Sequence, residues 1–290
     1  MPGRRGRYVV GLIGSGIGSS LSPELHEREA DELGLRYIYQ LIDLGELGLA
    51  ADDVGALVAQ AGQLGFCGLN ITYPCKQAVV AHLDDLSGDA AIVGAVNTVV
   101  FDGGRTVGYN TDGLGFLEGF RRGLPDAVIG DIVLLGAGGA GAAVSLAMLR
   151  MGVGRLTLID VDRQRAARIA ARLAGHGHSR IVASTVDELP DVLRTADGLI
   201  NATPVGMTPH HGMPLSPDLL RPDMWVADIV YRPSETELLQ HARARGCRTL
   251  NGMAMVAFQA AESMRLFTGH VPDSERMYRA LFTWAGGPDA

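Results

Sequence analysis

The sequence predicts an α/β protein in which two successive halves each alternate strands with helices. Short apolar runs typical of buried strands alternate with helix-like segments along most of the 290 residues. A glycine-rich turn, DIVLLGAGGAG at 131–141, joins one such strand to a helix-like run rich in Ala, Leu and Met. The alternation indicates mainly parallel sheets. The strand–glycine–helix order favours a Rossmann-type, doubly wound nucleotide-binding second half.

The first half is predicted to combine parallel strands with an antiparallel hairpin. A helix is expected to begin with Ser22 as its N-cap and Pro23 in the first helical position, and Gly34 follows its end. The turn Asp102-Gly103-Gly104 joins the two hairpin strands. The strands are expected at 8–13, 37–41, 67–71, 96–101 and 105–110, and the helices at 22–33, 53–64 and 76–82.

The second half is predicted to follow a connecting helix at 114–122. Two further helices, 253–267 and 274–284, are expected after it. Between them the strands are expected at 132–135, 155–159, 181–184, 198–201, 225–228 and 249–250, and the helices at 140–151, 163–174, 187–194 and 236–245.

Composition argues against several classes of protein. A net charge of −7 speaks against a broad nucleic-acid-binding surface. No apolar run approaches the roughly 18 residues that span a membrane, and the basic start is too short and glycine-rich for a signal peptide. Cys67, Cys75 and Cys247 are too few and too irregularly spaced for a disulfide framework or a zinc site. We therefore expect a cytoplasmic protein without a metal.

The glycine-rich turn has the residues that a pyrophosphate site requires. Gly136 permits the tight turn, Gly138 lets backbone amides approach the phosphates, and Gly141 lets the helix lie close to the strand. The helix N-terminus adds partial positive charge. The cofactor-binding residues of this turn are predicted to be Gly136, Ala137, Gly138, Gly139, Ala140 and Gly141.

Asp160 indicates which dinucleotide the turn would bind. It ends the next predicted strand, 19 positions after Gly141, where a carboxylate accepts the ribose hydroxyls of NAD. The same charge would repel the 2′-phosphate of NADP. An ordinary turn or N-cap role is the alternative for Asp160. Arg163 is predicted to contact a 2′-phosphate, to stack on adenine, or to be a solvated helix charge.

Polar residues of the first half fall at strand ends and turns, where ligands of such sheets bind. Hydroxyl and amide groups would bind the hydroxyls and carboxylate of a polyhydroxylated acid. Lys76 and Asp112 would form a proton-transfer pair, since removal of hydride from a carbinol also requires a base. Each residue alone is better explained as a cap, a strand end or a solvated charge, and only their occurrence together, in the half opposite a nucleotide motif, favours a site. The group consists of Ser20, Ser22, Asn70, Thr72, Lys76, Asn97 and Asp112.

Eight ordered motifs between residues 11 and 269 resemble the shikimate dehydrogenase family. Four contain the residues just described, one is the glycine-rich turn, and three lie later in the second half or in the predicted helix 253–267. The motifs are SLSP at 20–23, NITYPCK at 70–76, GAVNT at 94–98, YNTDG at 109–113, GAGGAG at 136–141, NATPVGM at 201–207, DIVYRP at 228–233 and GMAMVAFQA at 252–260.

The resemblance implies roles for the residues of the substrate half. Ser20 and Ser22 would hold the substrate carboxylate, with Lys76 the proton acceptor in oxidation and Asp112 its catalytic partner. The ring hydroxyls would be bound by Thr72, Asn97 and Gln259, and Tyr231 would contact the substrate. The expected substrates are shikimate and quinate.

The resemblance also implies the cofactor contacts and the domain organisation. A substrate-binding and catalytic domain at 1–112 would be completed by helices from 253–290, and a Rossmann domain at 113–252 would close over a cleft. The protein would be a monomer or a homodimer. The residues near the nicotinamide would be Thr203, Pro204 (where many members have Ser), Met207, Val230, Gly252 and Met255.

These residues are consistent with three different functions. The sequence Asp160-Val161-Asp162-Arg163 replaces the basic cluster of NADP-using members, which favours an NAD-dependent quinate/shikimate dehydrogenase. An NADP-dependent biosynthetic shikimate dehydrogenase, with Arg163 as phosphate ligand, is the second. A catalytically idle dinucleotide-binding sensor is the third, although a sensor needs no proton acceptor such as Lys76.

Overall fold

A computed structural model describes residues 6–177, 179–208 and 210–285. The chain forms two compact units, one of Met1–Thr111 with Ala257–Leu281 and the other of Asp112–Val256 with Phe282–Ala290. The second unit therefore begins at Asp112 and, among the described residues, keeps 253–256 and 282–285, which we expected with the first. The reason is that the helix beginning at Met253 starts in one unit and ends in the other.

The first unit contains a six-stranded sheet in the order β2-β1-β3-β5-β6-β4. β1 pairs in parallel with β2 and β3, so these three strands end at the same edge of the sheet. The predicted hairpin is present, and β5 is antiparallel to both β3 and β6. The strands are β1 (Arg7–Gly14), β2 (Arg36–Asp43), β3 (Gly68–Ile71), β4 (Asp85–Leu86), β5 (Thr98–Asp102) and β6 (Arg105–Tyr109).

Both faces of this sheet are covered by apolar side chains. Ile13 of β1 packs with Leu69 and Ile71 on one face, while Val10 and Leu12 pack on the other. β1 is therefore apolar at nearly every position, as a strand buried on both faces must be. The helices that begin in this part of the chain are α1 (Ser22–Glu32), α2 (Leu44–Leu47), α3 (Val54–Gln63) and α4 (Gly88–Val93).

The predicted helix at 76–82 is wrong in type. The segment Ala78–His82 is a 3₁₀-helix, and it includes the adjacent β-branched residues Val79 and Val80, which lower helix propensity. The helices α2 and α4 and the strand β4 were not predicted. They contain four, six and two residues, too few to show a hydrophobic period.

The second unit contains a fully parallel six-stranded sheet in the order β12-β11-β10-β7-β8-β9. This is the doubly wound order, in which the direction of winding reverses between β7 and β10. Ligands of such sheets bind outside the carboxyl ends of the strands at this point. The strands are β7 (Asp131–Leu135), β8 (Arg155–Ile159), β9 (Arg180–Ser184), β10 (Gly198–Asn201), β11 (Trp225–Asp228) and β12 (Arg248–Leu250).

The helices of the second half are close to those predicted, except that 187–194 divides into a 3₁₀ turn at Val186–Glu188 and a short α-helix. Within the ranges that the structure describes, no helix has the length and hydropathy needed to cross a membrane. The helices are α5 (Asp112–Gly123), α6 (Gly139–Met151), α7 (Arg163–Leu173), α8 (Leu189–Leu193), α9 (Glu237–Ala244), α10 (Met253–Thr268) and α11 (Ser274–Ala285).

Candidate functional site

The glycine turn lies at the carboxyl end of β7, beside the reversal point of the second sheet. Gly136 has a φ of +99°, and a Cβ there would lie 2.6 Å from the carbonyl oxygen of Ala202 after β10. A Cβ on Gly141 would lie 1.9 Å from the carbonyl oxygen of Gly136. Both positions therefore exclude any larger residue, and they hold the turn tightly between two strands and a helix.

Gly138 differs from these two glycines because a Cβ there would meet nothing within 4 Å. It is the N-cap of α6, so the first backbone amides of a 13-residue helix follow it. These amides have no acceptor within the helix and carry its positive partial charge. A side chain at Gly138 would fill the open space beside them. The turn thus fits the pyrophosphate of a dinucleotide.

Asp160 follows β8 and holds the glycine turn from the side. Its Oδ2 accepts a hydrogen bond from the Ala137 amide at 2.7 Å, and its Oδ1 accepts from the Asp162 amide at 2.8 Å. The Arg165 guanidinium also donates to Oδ1, at 2.5 Å. Burial opposes ionisation, but these bonds outweigh it and hold the pKa of Asp160 below its usual range. Three donors leave a carboxylate one acceptor position, on Oδ2, for a ligand hydroxyl.

The arginines at the start of α7 each lie near a carboxylate. Arg165 pairs with Asp160, and Arg168 lies 3.8 Å from Asp162. Arg163 is exposed at the start of the helix. The pKa of Glu188 is lowered mainly by the hydrogen bonds it accepts from Ser184 and Thr185. The positive charge of Arg163 lowers it further. Two of the three guanidinium groups thus lie within ion-pair distance of a carboxylate, and the charge of the third acts on Glu188.

A second group of cofactor candidates follows β10 and β11. The buried Asn201 side chain accepts from the Thr203 amide at 3.1 Å and from its hydroxyl at 2.7 Å. Pro204 and Met207 are exposed in the same loop. After β11, Val230 is buried. A Cβ on Gly252 would lie 2.3 Å from the carbonyl oxygen of Ile229. Met255 and Gly252 line one small cavity together with Asp228 and Ile229.

The predicted N-cap role of Ser22 is wrong. Leu21 is the N-cap of α1, without a side-chain cap bond, and Ser22 is the first helical residue. Instead, the Ser20 hydroxyl accepts from the Ser22 amide at 3.2 Å. The physical reason is that the backbone already turns helical at Leu21, with φ −83° and ψ −2°. The Ser22 hydroxyl is therefore not used to cap the helix.

Asp43, which sequence reasoning missed, organises the loop that leads to these serines. It is the last residue of β2 and accepts from the amides of Ile17 at 2.8 Å and Gly16 at 3.2 Å. The Ser20 amide in turn donates to the Ile17 carbonyl at 2.9 Å. Burial opposes ionisation of Asp43, but these backbone bonds lower its pKa. The sequence signal that could have identified Asp43 is an acidic residue at the end of a predicted strand, directly before a short helix.

Gln259, which is half-buried, belongs to one hydrogen-bonded group with the buried residues Asn97 and Thr111. The Asn97 amide nitrogen donates to the Thr111 hydroxyl at 2.9 Å and approaches Oε1 of Gln259 at 3.4 Å. The Thr111 amide donates to Oδ1 of Asn97 at 2.9 Å. Thr72 and Lys76 are both half-buried in the turn after β3. The Lys76 carbonyl accepts from the Val96 amide, next to Asn97, at 2.8 Å.

Asn70 serves as support for this group. Its Oδ1 accepts from the Tyr39 hydroxyl at 2.8 Å, and its amide nitrogen donates to the Asn97 carbonyl at 3.2 Å. The same nitrogen lies 3.1 Å from the hydroxyl of Ser263, which is fully buried on α10. Ser263 was missed, although its position four residues after Gln259 places the two on one helical face.

The catalytic pair of the prediction is divided between the two units. Lys76 lies in the first unit, and Asp112 is the first residue of α5 in the second. Tyr231 follows β11 in the second unit and is half-buried. Lys76 is also the only lysine among the 25 Lys and Arg residues of the chain. Among these 25 residues it is therefore the one whose side chain can serve as a proton acceptor, since arginine does not give up its proton.

Comparison with known proteins identifies the family. A model of the shikimate dehydrogenase substrate binding domain matches residues 12–99. Shikimate dehydrogenase (NADP(+)) of Streptomyces avermitilis is 56% identical over 280 residues, 96% of either chain. The structure of quinate dehydrogenase from Corynebacterium glutamicum in complex with NAD is 44% identical and covers 96% of this chain and 99% of that one, with a TM-score of 0.87. The structure of shikimate 5-dehydrogenase from Thermus thermophilus, in complex with NADP(H) and shikimate, is 33% identical. It covers 95% of this chain and 99% of that one, with a TM-score of 0.82. The α/β fold class and the resemblance in motifs are confirmed, and the chain belongs to the shikimate dehydrogenase family of oxidoreductases.

Proposed function

We propose that the protein oxidises the C3 hydroxyl of shikimate, quinate or both to the 3-dehydro acid with NAD. The bound nicotinamide supplies the hydride acceptor. The residues of this chain would bind the acid, remove its hydroxyl proton and select the cofactor. The enzyme would work in the reducing cytoplasm, as expected from its few and irregularly spaced cysteines.

Substrate binding is assigned to the side-chain amides of Asn97 and Gln259 and to the two serines. Asn97 and Gln259 offer donors and acceptors of the kind that ring hydroxyls require, and Thr72 lies in the adjacent turn. Ser20 and Ser22, held at the start of α1, would donate to the carboxylate. The N-terminal turn of an 11-residue helix also favours an anion there.

Lys76 is the proton acceptor in this proposal. When hydride leaves the carbinol carbon, the hydroxyl proton would pass to Nζ of Lys76, so that a ketone forms. The Lys76 backbone is fixed by its hydrogen bond with Val96, beside the predicted hydroxyl-binding Asn97. Asp112 would orient the lysine and stabilise its protonated form. A metabolite sensor would need neither group.

The charge balance around Asp160 is the observation that carries the choice of NAD. A 2′-phosphate needs cations that are not already neutralised. Here Arg165 and Arg168 face Asp160 and Asp162, and Arg163 lies near Glu188. Oδ2 of Asp160, with only the Ala137 amide assigned to it, would accept a ribose hydroxyl of NAD.

An NADP-dependent shikimate dehydrogenase is the second candidate. It is favoured by the NADP(+) in the name of the 56% identical Streptomyces relative. It would require Arg163, exposed at the start of α7, to bind the 2′-phosphate. The quinate dehydrogenase solved with NAD favours the first candidate.

Initial rates measured with two cofactors and two acids test the proposal. We expect NAD to give the higher kcat/KM with shikimate, with quinate, or with both. A higher kcat/KM with NADP for both acids would support the second candidate. Absence of reduced cofactor in all four combinations, with cofactor binding retained, would indicate the sensor and contradict the proposal.

A further inference from the structure

We propose that Asp228 is a positioning residue that joins the two loops expected to hold the nicotinamide half of the cofactor. This inference rests on the proposed cofactor site. The first loop, 202–207, follows β10, and the second, 229–231, follows β11. β10 and β11 are parallel neighbours in which Asn201 is paired with Asp228, so both loops leave the sheet at the same edge.

One carboxylate holds both loops. Oδ1 of Asp228 accepts from the Val230 amide at 3.0 Å and from the Asn201 side-chain nitrogen at 3.0 Å. Asn201 continues the connection, because it accepts from the Thr203 amide and hydroxyl and donates to the Val205 carbonyl at 3.1 Å. Thr203 and Val230, two predicted nicotinamide contacts, are therefore linked through Asn201 and Asp228.

A carboxylate is needed here rather than an amide. Oδ2 of Asp228 accepts from the Thr236 hydroxyl at 2.8 Å, while the oxygen of that hydroxyl caps α9 by accepting from the Leu239 amide. The Thr236 proton must therefore point to Asp228. An asparagine would place an NH₂ group against one of the three donors and leave a buried donor without an acceptor.

The arrangement is costly, which argues for a function beyond packing. Asp228 is 1% exposed, and its burial raises its pKa to about 6 although three hydrogen bonds act in the opposite direction. It also lines the small cavity that contains Gly252 and Met255, two further predicted nicotinamide contacts. A buried carboxylate at the ligand-binding edge of the sheet is expected where loop geometry matters more than stability.

Isothermal titration of the purified protein with NAD and with ADP-ribose, which lacks the nicotinamide, tests the proposal. We expect Asp228→Asn to weaken NAD binding by about tenfold and to leave the affinity for ADP-ribose unchanged. Asn201→Ala removes the whole connection from Asp228 to the first loop, with its bonds to Thr203 and Val205, but keeps the bonds that Asp228 accepts from Val230 and Thr236. It should give the same pattern. It provides the test if Asp228→Asn does not fold.

Asp197→Asn is the matched control. Asp197 also accepts a backbone amide bond, from Asp131 at 2.7 Å, but it lies at the opposite edge of the same sheet. The Asp197→Asn substitution should leave the affinities for NAD and for ADP-ribose unchanged. Equal weakening of NAD and ADP-ribose by Asp228→Asn and by Asn201→Ala, or no effect on either ligand, would overturn the positioning role. Failure of the unmodified protein to bind either ligand would instead contradict the proposed cofactor site.

Discussion

The Arg165 guanidinium donates to Oδ1 of Asp160 at 2.5 Å, across the turn between β8 and α7. The side chain of Asp160 is only 5% exposed, whereas that of Arg165 is 40% exposed. The pair therefore places a largely buried negative charge beside the glycine turn, with its neutralising partner on the solvent side. This arrangement, with the carboxylate buried beside the turn and the guanidinium toward solvent, would govern the discrimination between NAD and NADP. Neither residue alone would do so.

Asp160→Ala should shift the cofactor preference toward NADP. Loss of the bond to the Ala137 amide weakens the turn for both cofactors, while removal of the negative charge and release of Arg165 benefit only the 2′-phosphate. We expect kcat/KM with NAD to fall by about tenfold or more and kcat/KM with NADP to fall less or to rise. Initial rates with each cofactor measure the ratio.

Asp131→Ala is the control for this substitution. Asp131 pairs with Arg155 at 2.9 Å at the amino end of β7, far along the strand from the glycine turn. It should leave the NAD-to-NADP ratio unchanged. A ratio that moves equally in both variants would mean that Asp160 acts only through the stability of the sheet.

Lys76→Arg should separate positive charge from proton transfer. Arginine keeps the charge but does not give up its proton, so turnover should fall by about a hundredfold or more, while NAD binding measured by titration stays the same. Because Lys76 is the only lysine, reductive ¹³C-methylation of the unmodified protein gives one side-chain signal. Its titration by NMR reports the pKa of Lys76 directly. Turnover of Lys76→Arg close to that of the unmodified protein would contradict the proposed base.

The sequence was sufficient for those features that depend on local pattern. The glycine turn, the strands β7 and β8 and the helix α6 begin and end within one residue of their predicted bounds, because strand, turn and helix signals lie next to one another. The short elements α2, α4 and β4 lack such a pattern. Their positions depend on contacts made by the folded sheet.

Side-chain partners were harder to predict than the residues themselves. Arg163 and Arg165 are equally basic in the sequence, and only the turn of α7 brings Arg165 against Asp160. Asn70 is next to the predicted site but makes its bonds to Tyr39, Asn97 and Ser263. Such choices depend on the register between β3, β5 and α10, which no spacing in the sequence determines.

Ser263→Ala should raise the KM for the acid and leave the KM for the cofactor unchanged. The Ser263 hydroxyl lies 2.8 Å from the Thr98 hydroxyl and donates to the Gln259 carbonyl at 2.9 Å. Its loss removes one of three acceptors near the Asn70 amide nitrogen, which keeps the Asn97 carbonyl and the Thr98 hydroxyl, and so loosens the support beneath Asn97 and Gln259. We expect an increase of about fivefold to tenfold in KM for shikimate or quinate, measured by steady-state kinetics.

Ser145→Ala is the matched control for Ser263. The Ser145 hydroxyl, buried on α6, has no hydrogen-bond partner within the part of the chain that the structure describes. Its removal should leave the kinetics unchanged and should stabilise the fold by about 1 kcal/mol in urea denaturation. An unchanged KM for the acid in Ser263→Ala would show that the buried hydroxyl does not position the binding residues.

Arg276→Met should destabilise the first unit. Its guanidinium donates to both carboxylate oxygens of Glu29, at 2.7 and 2.8 Å, and the side chain of Glu29 is 1% exposed. Removing the arginine leaves a buried carboxylate held mainly by the Asp273 amide. We expect a loss of about 3 kcal/mol in the free energy of unfolding. Arg265→Met removes a more exposed pair with Glu262 and should cost at most about 1 kcal/mol.

The buried carboxyl of Asp228 should make stability fall as the pH rises from about 4 to 7. Its pKa is about 6 in the folded protein against 3.8 for the free side chain. The proton it binds on folding therefore contributes stability that is fully present below the unfolded pKa and is lost as the pH rises through 6. The difference of about two units corresponds to about 3 kcal/mol.

Asp228→Asn removes this titration, so comparison of the two proteins isolates it. The free energy of unfolding of the unmodified protein, minus that of Asp228→Asn, should decrease by about 2.4 kcal/mol between pH 4 and pH 7, because a small part of the total is already lost at pH 4. Urea denaturation across this range measures the difference, and other titrating groups cancel because both proteins share them. A difference that stays constant with pH would mean that Asp228 keeps an ordinary pKa. Its hydrogen bonds from Asn201, Val230 and Thr236 would then compensate fully for its burial.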